Sequence, residues 1–390
     1  MTRRAMQTTI LAALGALLSV GFAMAGTTVT EIGARDGVSI FLSDVGKTLI
    51  EERRDVPLQQ GMNTVSASFA SDRIDRSGLL LSCADPDAGL EISGAIFPRA
   101  TGKLVQWEVT SPRDQLVTLR AIYPISYVSC TPQYEILFPI GGPDVGEGLP
   151  APVEGLGSQR AEFSAQVLVG NGTGRDLPLA GLYVAGSRID ERAIAAGEAV
   201  KLCYQRVADL PLDTSLVFDA TRYGASIALQ GTIVNSPEVG LGAGPLPAGR
   251  VRTYASDGRD SPTLAAEDTL ESLAVGEKCE VFLGFQQDIR AKRDAAPGTQ
   301  VNVRRDLRGR SVAFDLEEKV SFQFASPRLE PVSLRVIEHI EGQWQIVRSS
   351  HRYAKLDATT IEFLVPVPPG DRETQPTTLE YVVRRKNLAP

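Results

Sequence analysis

The chain has 390 residues, 43% hydrophobic and 22% charged, with 40 basic against 47 acidic side chains and a formal net charge of −7. Nucleic-acid binding rests on basic stripes that displace phosphate counterions, and this balance offers none, so that class of partner is excluded. The length allows two or three domains.

The N-terminus reads "MTRRAMQTTILAALGALLSVGFAMAG": Arg3 and Arg4, an apolar run from Ile10 to Ala23, then Ala23, Met24, Ala25. This is the pattern of a secretory signal peptide (1–25) cut after Ala25, and its run is short of the roughly 18 residues of a membrane span. A periplasmic or secreted location follows, with no integral membrane span. The cut removes two Arg and no acid, leaving 38 basic and 47 acidic residues and a net charge of −9.

Beyond the leader the period is two almost throughout. Phe163, Ala165, Val167 and Val169 share one face against Ser164 and Gln166; Val320, Phe322 and Phe324 alternate with Ser321 and Gln323. Such runs bury one sheet face and wet the other. Turn signals such as "PLQQGMN", "NGTGRD", "PLPAGR" and "PPGDRE" close them. The pattern predicts an all-β chain of two to three consecutive antiparallel β-sandwich (Ig-like) units: an N-terminal β-domain at 26–125, a central one at 126–295 and a C-terminal sandwich at 296–390. "GSRIDERAIAAGEAV" and "SPTLAAEDTLESLAVGEK" each have room for a turn or two of helix.

Trp107 is one candidate, a ring able to stack on sugars if exposed. Cys83, Cys130, Cys203 and Cys279 are an even set; in an oxidising compartment they suggest disulfides, with Cys83–Cys130 and Cys203–Cys279 the local pairs among three possible pairings. CxxC spacing is absent and no His lies nearby, which argues against a metal site. From Pro139 to Arg160 the chain has six Gly and four Pro, reading as a long loop or connector. Gly170 to Asp176 resembles a phosphate loop faintly but lacks the Lys-Ser/Thr ending and a following helix, so a hairpin is expected; Asn171-Gly-Thr173 is a glycosylation sequon. "LGAGPLPAGRVRTYASDG" has four Gly and two Pro, then alternating Arg250 to Tyr254: a shaped loop entering a strand.

The acids Asp257, Asp260, Glu267, Asp268 and Glu271 are the material for a glycosidase pair. Asp306, Asp315 and Glu317 have the chemistry of Ca²⁺ ligands without a spaced loop of oxygens. Arg304, Arg305, Arg308 and Arg310, interleaved with Asp306, read as a solvated strand and turn. His339 sits on the wet face of its strand; His351 follows Ser349 and Ser350, too close in an extended chain for a nucleophile and base, and no GxSxG turn exists. Trp344 is the second ring able to stack on sugars.

Several of these stretches resemble a bacterial family of secreted domain-of-unknown-function proteins that includes the mucoidy inhibitor A proteins. Its "LPAG-x-V-R-x-Y" run is similar to Leu246–Tyr254, its Gly-Glu-Asp-like step to Ala266–Asp268 with Ala in the first place, its Gly-Glu turn to Gly276–Glu277, and its "LG-x-x-x-D" to Leu283–Asp288. "VLVGNGTGRDLPLAGLYVAG" resembles the family's hairpin. No coiled-coil insertion is present, and Cys130 stands near a position where members carry Trp. The resemblance brings no catalytic residues, cofactor or metal. The expectation is a non-catalytic envelope or secreted protein that binds a protein partner or surface polysaccharide. The alternatives are an envelope hydrolase acting on carbohydrate or peptide, and a structural component of a surface assembly.

Overall fold

The computed structural model describes residues 28–31, 37–43, 46–69, 74–98, 104–139, 158–256, 261–370 and 375–389. The expected leader at 1–25 lies outside them. The described chain is almost all strand, as the two-residue period requires. In order these are β1 (Thr28–Glu31), β2 (Gly37–Leu42), β3 (Thr48–Leu58), β4 (Gly61–Ser68), β5 (Leu80–Cys83), β6 (Glu91–Ile96), β7 (Leu104–Ser111), β8 (Gln115–Ile125) and β9 (Val128–Pro139). Next come β10 (Ser158–Asn171), β11 (Leu177–Val184), β12 (Ser187–Ile194), β13 (Ala199–Asp219), the single-turn helix α1 (Ala220–Tyr223), β14 (Ile227–Val234), β15 (Gly249–Ser256), β16 (Thr263–Leu270) and β17 (Lys278–Gln286). The chain continues through β18 (Arg290–Ala295), β19 (Thr299–Arg305), β20 (Ser311–Ala325), β21 (Val332–His339), β22 (Trp344–Ser349), β23 (Tyr353–Lys355), β24 (Thr360–Val367) and β25 (Thr377–Leu388).

The strands form sheets in the orders β1-β4-β7-β6, β12-β11-β2-β3-β8-β5, β16-β15-β9-β10-β13-β21-β24-β23 with β14 and β17 attached through β13, and β18-β20-β25-β22 with β19 on β20. Most pairs are antiparallel, but β1·β4, β11·β2, β13·β21 and β15·β9 are parallel. Parallel neighbours need long crossovers, and here whole hairpins supply them.

The expected consecutive domains at 26–125, 126–295 and 296–390 are not the compact units observed. One unit comprises the described residues of Met1–Gly37, Glu52–Asp72 and Leu80–Ala121, the other those of Val38–Glu51, Arg73–Leu79 and Ile122–Pro390. Strand pairing overrides chain order: β2 hydrogen-bonds to β11, and β21 of the expected C-terminal sandwich extends the sheet of β13.

In the first unit Val65, Val105, Trp107 and Val109 are buried, and Phe69 meets the Trp107 ring edge-on at 6.3 Å. In the second, β17 returns beside β16 and β15. The Phe282 N–H donates to Asp268 Oδ2 at 2.8 Å, and the Thr253 hydroxyl to the Phe282 carbonyl at 3.4 Å. The strands from β9 to β17 thereby wrap a core of Tyr134, Ile136, Phe163, Leu212, Val251 and Val281. Downstream, the β20–β25 sheet packs on β13, β21 and β24: Phe218 meets Phe322 and Phe324 edge-on at 5.9 and 5.7 Å, and Phe363 stacks on Tyr381 at 5.4 Å. Each buried ring contributes about 2–3 kcal/mol.

The two segments with room for a turn or two of helix hold strands instead. Ser187–Ile194 pairs with β11 and Thr263–Leu270 with β15. Neither has an apolar stripe for a helix to bury, whereas each ladder satisfies its backbone. The expected loop Pro139–Arg160 is shorter than expected: Ser158, Gln159 and Arg160 open β10, and 140–157 lies outside the described residues.

The Gly/Pro-rich stretch before β15 is a shaped loop. Buried Asn235 gathers it, donating to the Gly244 and Leu273 carbonyls at 3.1 Å and accepting from the Gly242 N–H at 2.8 Å. The Tyr134 hydroxyl holds the Pro247 carbonyl at 2.6 Å. At Gly249 a Cβ would lie 2.5 Å from the Pro132 oxygen, so only glycine lets β15 enter beside β9. Arg250–Tyr254 is then strand, as its alternation predicts.

Candidate binding site

Few of the sequence candidates gather. Asp257 and Asp260 lie outside the described residues. Glu267 pairs with Arg252 at 2.9 Å, Glu271 is exposed, and Asp268 is engaged by backbone N–H groups of Thr269 and Phe282. Asp306 closes a turn through the N–H groups of Arg308 and Arg310, Asp315 takes the Asn302 amide and the Asn387 N–H, and Glu317 pairs with Arg384. Among the described residues no three His, Cys, Asp or Glu side chains come together as a metal site.

His351, Ser349 and Ser350 form a turn: Ser350 Oγ meets His351 Nδ1 at 2.9 Å, and Ser349 Oγ donates to the His351 carbonyl at 2.7 Å. His339, exposed as its strand phase predicts, sets Nε2 3.0 Å from Asp219 Oδ2. Asp219 in turn caps α1, its Oδ1 accepting the Thr221 and Arg222 N–H groups at 3.0 Å.

Both tryptophans are committed elsewhere. Trp107 is 2% exposed, and Trp344 donates to the Ala358 carbonyl at 2.9 Å with Lys355 4.6 Å over its ring. Gly170–Asp176 leads into β11, not a helix. The Asn171 amide is buried and donates to the Arg175, Ile194 and Ala195 carbonyls, so in the folded chain the sequon is closed.

The structure shows no bond for either expected pair, Cys83–Cys130 or Cys203–Cys279. For the second pair the topology gives the reason. Cys279 faces Ile233, next to the Thr232 that pairs with Asp213, while Cys203 lies ten residues upstream on β13. That is on the order of 30 Å of strand, against a disulfide Cα separation of about 6 Å. Burial, with Asp268 and Glu280 nearby, pushes the Cys279 thiol up to about 11.

A site that the sequence reading missed lies where α1 meets β17. Tyr223 stacks on Phe282 at 5.4 Å and meets Phe285 edge-on at 5.9 Å, while Phe282 and Phe285 are 4.8 Å apart. Arg222 lies 5.0 Å over the Tyr223 ring and reaches Asp268 at 3.8 Å. Phe285 is 49% exposed, an uncommon state for a clustered aromatic. Below the rings Gln230, 5% exposed, donates from Nε2 to the Tyr223 hydroxyl at 3.3 Å, and its Oε1 is a buried acceptor with no partner among the described residues. Burial raises the Tyr223 hydroxyl above its ordinary value, keeping it a donor at neutral pH.

Strict alternation would send Phe282 and Phe285 to opposite faces. A bulge intervenes: Leu229 pairs with Gly284 but Gln230 with Phe282, and Gly284 takes φ +142°. The extra residue resets the phase and turns both rings outward. A glycine between aromatics in a strand was the available signal. No protein-family model matches the chain, and a search of the curated proteins finds no match either.

Proposed function

We propose that the chain is a non-catalytic envelope or secreted module that binds a surface polysaccharide at the Tyr223–Phe282–Phe285 platform. The observation that carries this reading is the exposed ring cluster set over an orphaned buried acceptor. Sugar C–H faces stack on aromatic planes, and hydroxyls need polar partners at the rim. Arg222, Asp268 and the Tyr223 hydroxyl supply both donors and acceptors there. The exported location expected from the leader puts such a polymer within reach.

Affinity electrophoresis through gels cast with envelope polysaccharide tests it. The chain is expected to be retarded, with Phe285→Ala weakening binding about tenfold and leaving the thermal melt unchanged. Equal retardation of the two proteins overturns the platform assignment.

A further inference from the structure

We infer that the β19–β20 hairpin is a docking tip for an anionic lipid surface. Its turn, Asp306 to Gly309, holds Leu307 wholly in solvent, and Val303 and Val312 on the flanking strands are exposed as well. An apolar side chain at a loop apex loses nothing by entering an interface and gains burial there.

Around it stand Arg304, Arg305, Arg308 and Arg310. The single acid of the turn, Asp306, is committed: it accepts from the Arg308 and Arg310 N–H groups at 2.8 and 2.9 Å and from the Arg310 guanidinium at 3.2 Å. Arg304 rests on the Asn387 side chain, and Arg305 donates to the Gly309 carbonyl at 3.0 Å, a contact that leaves its charge intact. Neither Arg305 nor Arg308 is paired with a carboxylate among the described residues.

The pattern is an apolar apex flanked by two guanidiniums, Arg305 and Arg308, without a carboxylate partner among the described residues, on a protein otherwise acidic. Acidic surface more than a Debye length away, about 8 Å at physiological salt, is screened, so close to a membrane the tip's positive charge governs. Charge complementarity selects phosphate-bearing headgroups, and the apolar apex selects a bilayer over a soluble polyanion.

The test is cosedimentation of a chain beginning at Gly26, which keeps every described strand, with vesicles of phosphatidylcholine alone or mixed with phosphatidylglycerol. Binding is expected only to the mixed vesicles. It should weaken about fivefold for each arginine removed in Arg305→Ala and Arg308→Ala, and at least tenfold in Leu307→Asp. Circular dichroism melts identical to the parent's confirm that the variants fold. Equal binding to neutral vesicles, or full binding by Leu307→Asp, overturns the inference. Retention of parent and Leu307→Asp alike by an anionic polysaccharide, without vesicle binding, assigns the tip to a soluble polyanion and also overturns it. Phe285→Ala should bind vesicles normally, which separates this test from that of the platform.

Discussion

Glu338 shows how far a single residue can depart from its strand's pattern. On β21 its phase belongs to Val332, Leu334 and Val336, the core face, and the carboxylate is indeed buried. It survives there because Arg293 meets it with two bonds of 2.9 and 3.0 Å and the Tyr381 hydroxyl donates at 2.5 Å. Glu338→Leu strands the guanidinium and the phenol, and should cost about 3–5 kcal/mol. Glu338→Gln keeps acceptor and shape and should cost less; thermal melts of the two variants check the order. Thiol chemistry is a second residue-scale prediction. Exposed Cys203 should react with a disulfide reagent in the native state, Cys279 should not, and four thiols should titrate in denaturant. A count of two in denaturant would restore a disulfide.

At the scale of elements, two glycines carry specific weight. Gly249→Ala drives a Cβ into the Pro132 carbonyl, and should cost about 2–3 kcal/mol while speeding amide exchange along β15. Gly284→Ala sets its methyl in ordinary contact with Ala265, about 3.7 Å away, but φ +142° is strained for any L side chain. It should cost about 1–2 kcal/mol and weaken polysaccharide binding by releasing Phe285 from its outward position. Unchanged binding in a folded Gly284→Ala protein would detach the bulge from the platform. The helix α1 is equally local: one turn, capped by Asp219 and steadied by His339, it brings Arg222 and Tyr223 to β17.

Across the whole molecule, stability should trace a plateau with two flanks. The Lys47 ammonium and Ser77 hold Asp75 down to about 2. A carboxyl depressed in the folded state stabilises above its unfolded value near 4 and loses that contribution as pH falls toward 2. On the alkaline side Cys279 is raised to about 11, by burial first, and Tyr381 is pushed well above a phenol's ordinary value, again by burial and then by Glu338. Groups raised in the fold let the unfolded chain ionise first, so stability declines from about pH 9 upward. Melting temperatures should be flat between, and Cys279→Ala should shallow the alkaline flank; an unaltered slope would show that this thiol is not a contributor.

Sequence alone determined the all-β class, the strand at Arg250–Tyr254, the wet face of His339 and the solvated arginine turn, because a two-residue period is local and each inward residue announces its face. Only the tertiary structure decided which strands pair, hence the two discontinuous units, the separation of Cys203 from Cys279, the burial of Trp107 and the joining of Tyr223 to Phe285. Those depend on register between segments far apart in the chain, and on one bulge that reverses a phase, neither of which leaves a periodic trace in the order of residues.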